Sequence, residues 1–138
     1  MNDQAIEQEI QTKGLTAPRI TPADIEANIR GEFNFTVGNA ARALNCPVSE
    51  ATDLLTICVL TLKNGFTVTG ESACASPENF DAELGRKIAR ENAINKVWPL
   101  MGYALKERLH KQSQLNPTYY TTHPDGSFKV AYPQPVVL

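Results

Sequence analysis

The chain is poor in the residues that usually announce chemistry. Of its 138 residues, two are histidine, one is tryptophan and three are cysteine. Cys46, Cys58 and Cys74 form no Cys-x-x-Cys pair, so neither a zinc site nor a dithiol redox motif is built from them. An odd number of scattered cysteines reads as free thiols in a reducing compartment. No apolar run approaches the ~20 residues that span a bilayer. The opening MNDQAIEQEI is acidic and lacks the apolar stretch of a secretory leader, so none is expected there. A net charge of −2 is too small to indicate a nucleic-acid or membrane partner. Internal repeats and low-complexity tracts are missing too.

What is present is an ordinary globular composition, 42% hydrophobic and 20% charged, at a length that suits one domain with a real core. The charge is unevenly placed. Residues 1–60 carry four basic and eight acidic side chains, giving −4, and residues 61–138 carry nine and seven, giving +2. Within 84–111, seven basic residues including Arg86, Lys87, Arg90 and Lys96 face only Glu91 and Glu107, giving +5.

Residues 3–13 have Ile6 and Ile10 one helical turn apart, with Asp3 as the cap and Gly14 as the stop. Thr21-Pro22-Ala23-Asp24 is a sharper helix start, and Gly31 is expected to close that helix. Phe33 and Phe35 alternate with polar residues, as in a brief extended segment or a packed loop. Residues 36–63 read as two helices broken at Asn45-Cys46-Pro47. Ser49 caps the second, in which Leu54, Leu55, Cys58, Val59 and Leu62 make a broad apolar face. A strand over 56–62 is the competing reading, because β-branched residues are frequent; Asn64-Gly65 would then be a two-residue hairpin turn. Phe66–Gly70 alternates as a short strand. A helix opens after Ser76-Pro77-Glu78, and Pro99 is expected to kink or restart it. Ala89, Ala93, Val97, Met101 and Leu105 recur every fourth residue as its core stripe. Around His123-Pro124-Asp125-Gly126, two β-rich runs predict a hairpin. The expected fold is thus mainly α with a small β component (α+β): a helical core, a short strand at 66–70, a kinked C-terminal helix and a β-hairpin tail. The expected divisions are an arm at 1–20, a helical domain at 21–111 and a proline-containing tail at 112–138.

No constellation here favours catalysis. Cys74 follows a strand and precedes a helix, but His110 and His123, its only potential bases, have no supporting acid nearby in sequence. Glu71, Glu78, Asp81 and Glu83 are oxygen ligands in principle, yet acids are common in a helix's first turns for electrostatic reasons alone. No cofactor or metal is expected. Residues 38–55 have the rhythm of a helix-turn-helix, but Glu50 and Asp53 would enter the DNA groove first, which disfavours that partner. Arg86, Lys87 and Arg90, after the loop that holds Glu71 and Ser72, form a candidate anion-binding surface. Tyr119, Tyr120, Phe128 and Tyr132 supply the aromatic character of a protein-binding hairpin.

One stretch carries a family resemblance. Asn64-Gly65-Phe66, Gly70-Glu71-Ser72, the Pro77–Asp81 turn, Gly85-Arg86-Lys87-Ile88-Ala89, Trp98-Pro99-Leu100 and Gly102-Tyr103 resemble the small tailed-phage proteins named after gene product 49 of one podovirus and gene 66 of another. The likeness covers roughly residues 20–110 and leaves the tail from Gln112 outside. It implies phage or prophage origin and no transferable catalytic residue. The function expected from it is that of a non-catalytic accessory protein in the host cytoplasm, binding a host component and countering host defence. An anionic nucleotide-type ligand is the second expected partner and DNA the third; no membrane is expected, and self-association is left open.

Overall fold

The computed structural model describes residues 2–115 and the backbone of 119–122 and 128–131. The chain divides into two compact units, Met1–Met101 and Gly102–Leu138.

The first unit is built on a three-stranded antiparallel sheet in the order β1-β2-β3, with β1 at Ile29–Thr36, β2 at Leu55–Leu62 and β3 at Thr67–Ala73. Helices precede and interrupt it: α1 at Asp3–Thr12, α2 at Pro22–Ala27, α3 at Val37–Ala43 and the single turn α4 at Glu50–Asp53. A 3-10 turn at Pro77–Asn79 leads into α5, Ala82–Leu115, whose residues to Met101 belong to this unit. The second unit contains the end of α5 and two short strands, β4 at Tyr119–Thr122 and β5 at Phe128–Ala131. These pair antiparallel with Tyr120 opposite Val130 and Thr122 opposite Phe128, as the hairpin expectation requires. The turn between them and the final residues lie outside the described residues.

Local chemistry explains most element starts. Thr21 and Asp24 form a reciprocal capping box, the hydroxyl accepting from Asp24 N at 3.1 Å and the carboxylate from Thr21 N at 2.9 Å. Ser49 and Thr52 form a second capping box at α4, and Thr36 caps α3 by accepting from Asn39 N. Asp81 Oδ1 accepts from Leu84 N at the start of α5. The cap of α1 is Asn2 rather than Asp3, its Oδ1 accepting from Ala5 N at 2.8 Å.

Three expectations are corrected. The helix capped by Ser49 ends after one turn at Asp53, and residues 55–62 are the central strand of the sheet. An apolar run of this length fits a buried helix face and a buried strand equally; Thr56, Ile57, Val59 and Thr61 favour the strand because their β-branched side chains crowd a helix. The Asn64-Gly65 turn accordingly joins two strands, though by a three-residue loop: Leu62 N donates to Phe66 O and Gly65 N to Leu62 O, with Gly65 at φ +90°. The α2 helix ends at Ala27, and Gly31 lies within β1. Finally, β3 runs to Ala73, so Glu71 and Ser72 are strand residues and not loop residues.

The core lies between one face of the sheet and α5. Cys58, Leu60, Leu62 and Val68 meet Ala89, Ala93 and Val97, and Ile25 of α2 closes the cluster. Alanines at 89 and 93 let α5 approach closely. Gly70 completes that approach: a Cβ there would stand 2.0 Å from Ala89 O and 2.3 Å from Ala93 N. The helix continues through Pro99 rather than restarting there, although Pro99 has no N–H to donate to Asn95 O.

Candidate functional site

The sheet register sorts the strand residues by face. Directly paired residues of an antiparallel sheet project to the same side. Thr56, Cys58, Leu60 and Leu62 of β2 are fully buried under α5. Their alternates Leu55, Ile57, Val59 and Thr61 pair with Phe35, Phe33 and Gly31 of β1 and with Ala73, Glu71, Thr69 and Thr67 of β3. On this second face the β3 residues Thr67, Thr69, Glu71 and Ala73 are exposed, Ile57 and Val59 are half-buried, and Phe33 is 64% exposed. Phe33 and Phe35 stack obliquely, their ring centroids 5.5 Å apart. The face is therefore a flat apolar strip, bordered by threonines and carrying one charge, that of Glu71. Sequence reasoning missed it because a strand apolar on both sides lacks alternation.

The sequence-derived anion surface is not assembled. Arg90 is consumed within the fold: it donates to Glu26 at 2.7 and 2.9 Å and to Glu32 at 2.6 Å, tying α5 to α2 and β1. The Arg90 guanidinium holds both carboxyls below their usual range and is itself held firmly protonated. Here the acidic first half of the chain meets the basic second half, so part of the charge asymmetry is internal pairing. Lys87 lies beside Glu83 at 3.4 Å, both in solvent. Glu71 sits on β3, the opposite edge of the sheet from β1, with Lys96 at 3.9 Å; its carbonyl accepts from Asn92 Nδ2 at 2.8 Å. Ser72 is half-buried opposite Thr56. Of the hairpin residues, Tyr119, Tyr120 and Phe128 fall on the strands β4 and β5, and Tyr132 is outside the described residues.

Among the basic candidates, Lys87 and Arg90 line a cleft of about 320 Å³ with Asp3 and Glu91, whereas Arg86 lines a larger one with aromatic walls. A cleft of about 660 Å³ lies between the end of β1, the α3–α4 corner and the start of α5. Phe35, Leu54 and Phe80 line it, as do Asn34, Arg42 and Arg86. Arg42 is fixed by Asp53 through two bonds of 2.7 and 2.8 Å and by Asn39 at 3.0 Å. No acid stands within ion-pair distance of Arg86 among the described residues. Asn34 and Phe35 lie on β1, Arg42 on α3 and Arg86 on α5, with Leu54 and Phe80 in connections; they share no local motif, so only the Arg86 end was legible.

The α3–α4 corner does not support a helix-turn-helix, since its second helix is the four-residue α4. Among the described residues, no three His, Cys, Asp or Glu side chains gather as a metal site. Burial pushes the Cys58 thiol up and makes it a core residue. Cys74 is half-buried, its Sγ donating to Ser76 O at 3.1 Å. No helix among the described residues is long and apolar enough to cross a membrane.

A small α+β unit with an antiparallel sheet, a long helix on one face and an apolar strip on the other that is partly exposed among the described residues is the class of molecule these observations define. The family described as phage protein (N4 Gp49/phage Sf6 gene 66) matches residues 20–109, and the chain belongs to it. The matched range contains all three strands, the cleft and the Arg90 clamp. Compared with curated proteins and with solved structures, the chain finds no match.

Proposed function

We propose that this phage-family protein is a non-catalytic accessory factor that binds a host protein through the open face of its sheet. One observation carries the reading: β2 has the composition of a strand covered on both sides, and α5 covers one. Leu55, Ile57 and Val59 are as apolar as Cys58, Leu60 and Leu62. Apolar patches of this kind, rimmed by polar residues, mark association surfaces in soluble proteins. The near absence of charge favours a partner that presents an apolar surface over nucleic acid, whose phosphates demand cations. In the phage setting such a partner is a host component, and interference with host defence is the role that fits an accessory factor with no assembled catalytic group on the described surface.

A photo-crosslinking residue placed at Phe33 tests this during expression in host cells. The expected outcome is a covalent adduct with a host polypeptide at position 33 and none with the same group at Lys87. Adducts confined to a second copy of the chain would replace the host partner by self-association, and no adduct at position 33 would refute the reading.

A further inference from the structure

The cleft beside Arg86 meets the open sheet face at one residue, Phe35, and otherwise lies against the α3–α4 corner and the start of α5. Its size falls in the range of small-molecule sites, which bury most of a ligand of a few tens of atoms. Its lining is mixed in a specific way. Phe35, Leu54 and Phe80 give flat apolar walls, and Arg86 gives a cation with no acidic partner among the described residues. The third feature is Asn34. Its Nδ2 donates to Glu32 Oε2 at 3.0 Å, which fixes the amide orientation, because the flipped amide would set an oxygen against that carboxylate. Its Oδ1 is buried and, among the described residues, has no donor within hydrogen-bonding distance. Buried polar atoms are nearly always satisfied, and because Asn34 lines the cleft, a small turn of its amide toward the opening offers Oδ1 to a donor from the occupant.

We propose that this cleft binds a nucleotide, a planar base carrying N–H donors joined to a phosphate. The base lies against Phe35 and Phe80, one of its N–H groups satisfies Asn34 Oδ1, and Arg86 meets the phosphate. Each requirement excludes a simpler ligand. Inorganic phosphate leaves the aromatic walls and Asn34 unused, and an apolar molecule leaves Arg86 and Asn34 unpaired. Glu50 also lines the cleft and repels a phosphate, so the phosphate sits at the α5 end, away from α4. Arg42 is neutralised by Asp53 and serves as a fixed wall.

The test is calorimetric titration of the full chain with the four common ribonucleoside monophosphates, with adenosine and with inorganic phosphate. At least one monophosphate is expected to bind, and more tightly than either fragment. Arg86→Gln is expected to weaken that binding by about tenfold or more, the usual cost of a lost charged hydrogen bond. Phe80→Leu, which keeps the apolar wall, is expected to weaken it through lost stacking. Phosphate binding as well as the monophosphates would overturn the proposal, as would affinity unchanged in both folded variants or no binding by any monophosphate. Val59→Thr, on the sheet face and outside the cleft lining, leaves nucleotide binding intact, so failure here and failure of the host-protein reading are distinguishable.

Discussion

The two faces of one sheet are made by the same strand and meet different fates. On the helix side, Cys58 and Leu60 of β2 are fully buried and α5 sits close enough to exclude any side chain at position 70. On the other side, Ile57 and Val59 are half-buried beside a Phe33 that is 64% exposed. The residues are similar in hydrophobicity; only the cover differs. The helix side is where burial stabilises the unit, and the open side is where apolar area remains for a partner.

Substitutions that separate the two faces sharpen that comparison. The largest effect is expected from Gly70→Val, because its side chain meets the backbone of α5, which cannot move without lifting the helix from the core. A loss of about 3 kcal/mol or more is expected in urea denaturation. Leu60→Ala, on the same side, removes a fully buried side chain and is expected to cost about 2–5 kcal/mol in the same measurement. Either variant behaving like wild type would break the assignment of the core.

Next comes the clamp at Arg90. Arg90→Met leaves Glu26 and Glu32 without their cation and is expected to cost about 1 kcal/mol at neutral pH, a modest figure because Glu26 is more than half exposed. The pH dependence follows from direction. Glu26 and Glu32 have folded pKa values depressed below 4.5 by Arg90, and Glu7 is held at about 2 by its hydrogen bonds to Arg19 and Gln11. The contribution of each is therefore present above the ordinary carboxylate value of about 4.5 and is lost as the pH falls through its depressed folded value, about 2 for Glu7. Arg90→Met is expected to flatten part of that acid limb in a series of denaturation curves at falling pH. An unchanged acid limb would show that the clamp is not an energetic link.

The smallest stability effect is expected on the open face. Phe33→Ser removes a largely exposed ring and should shift stability by less than about 0.5 kcal/mol. A larger loss would mean that the ring already has a cover.

The legibility of the sequence follows the same division. Helix starts were readable because caps are local: Thr21 with Pro22 and Asp24 needs no tertiary information. The Ala89–Ala93–Val97 stripe was readable because its period is helical. Residues 55–62 were misread because both faces of β2 are apolar, which erases the period-two signal. Reading Glu71 and Ser72 as loop residues followed from ending the strand at Gly70, a glycine whose role is to admit α5. Arg90 was recognised as a cation, but its partners Glu26 and Glu32 lie 64 and 58 residues away, and no local rule pairs them. The cleft was legible only at Arg86, since Asn34, Arg42 and Phe80 converge through the fold.

The central claim is that the open sheet face binds while the covered face stabilises. The most direct measurement is a paired one on the double variant Phe33→Ser, Val59→Thr: its urea midpoint and its capture of the host polypeptide found by crosslinking at position 33. A midpoint close to wild type with capture lost is expected. Capture retained by a folded double variant would contradict it.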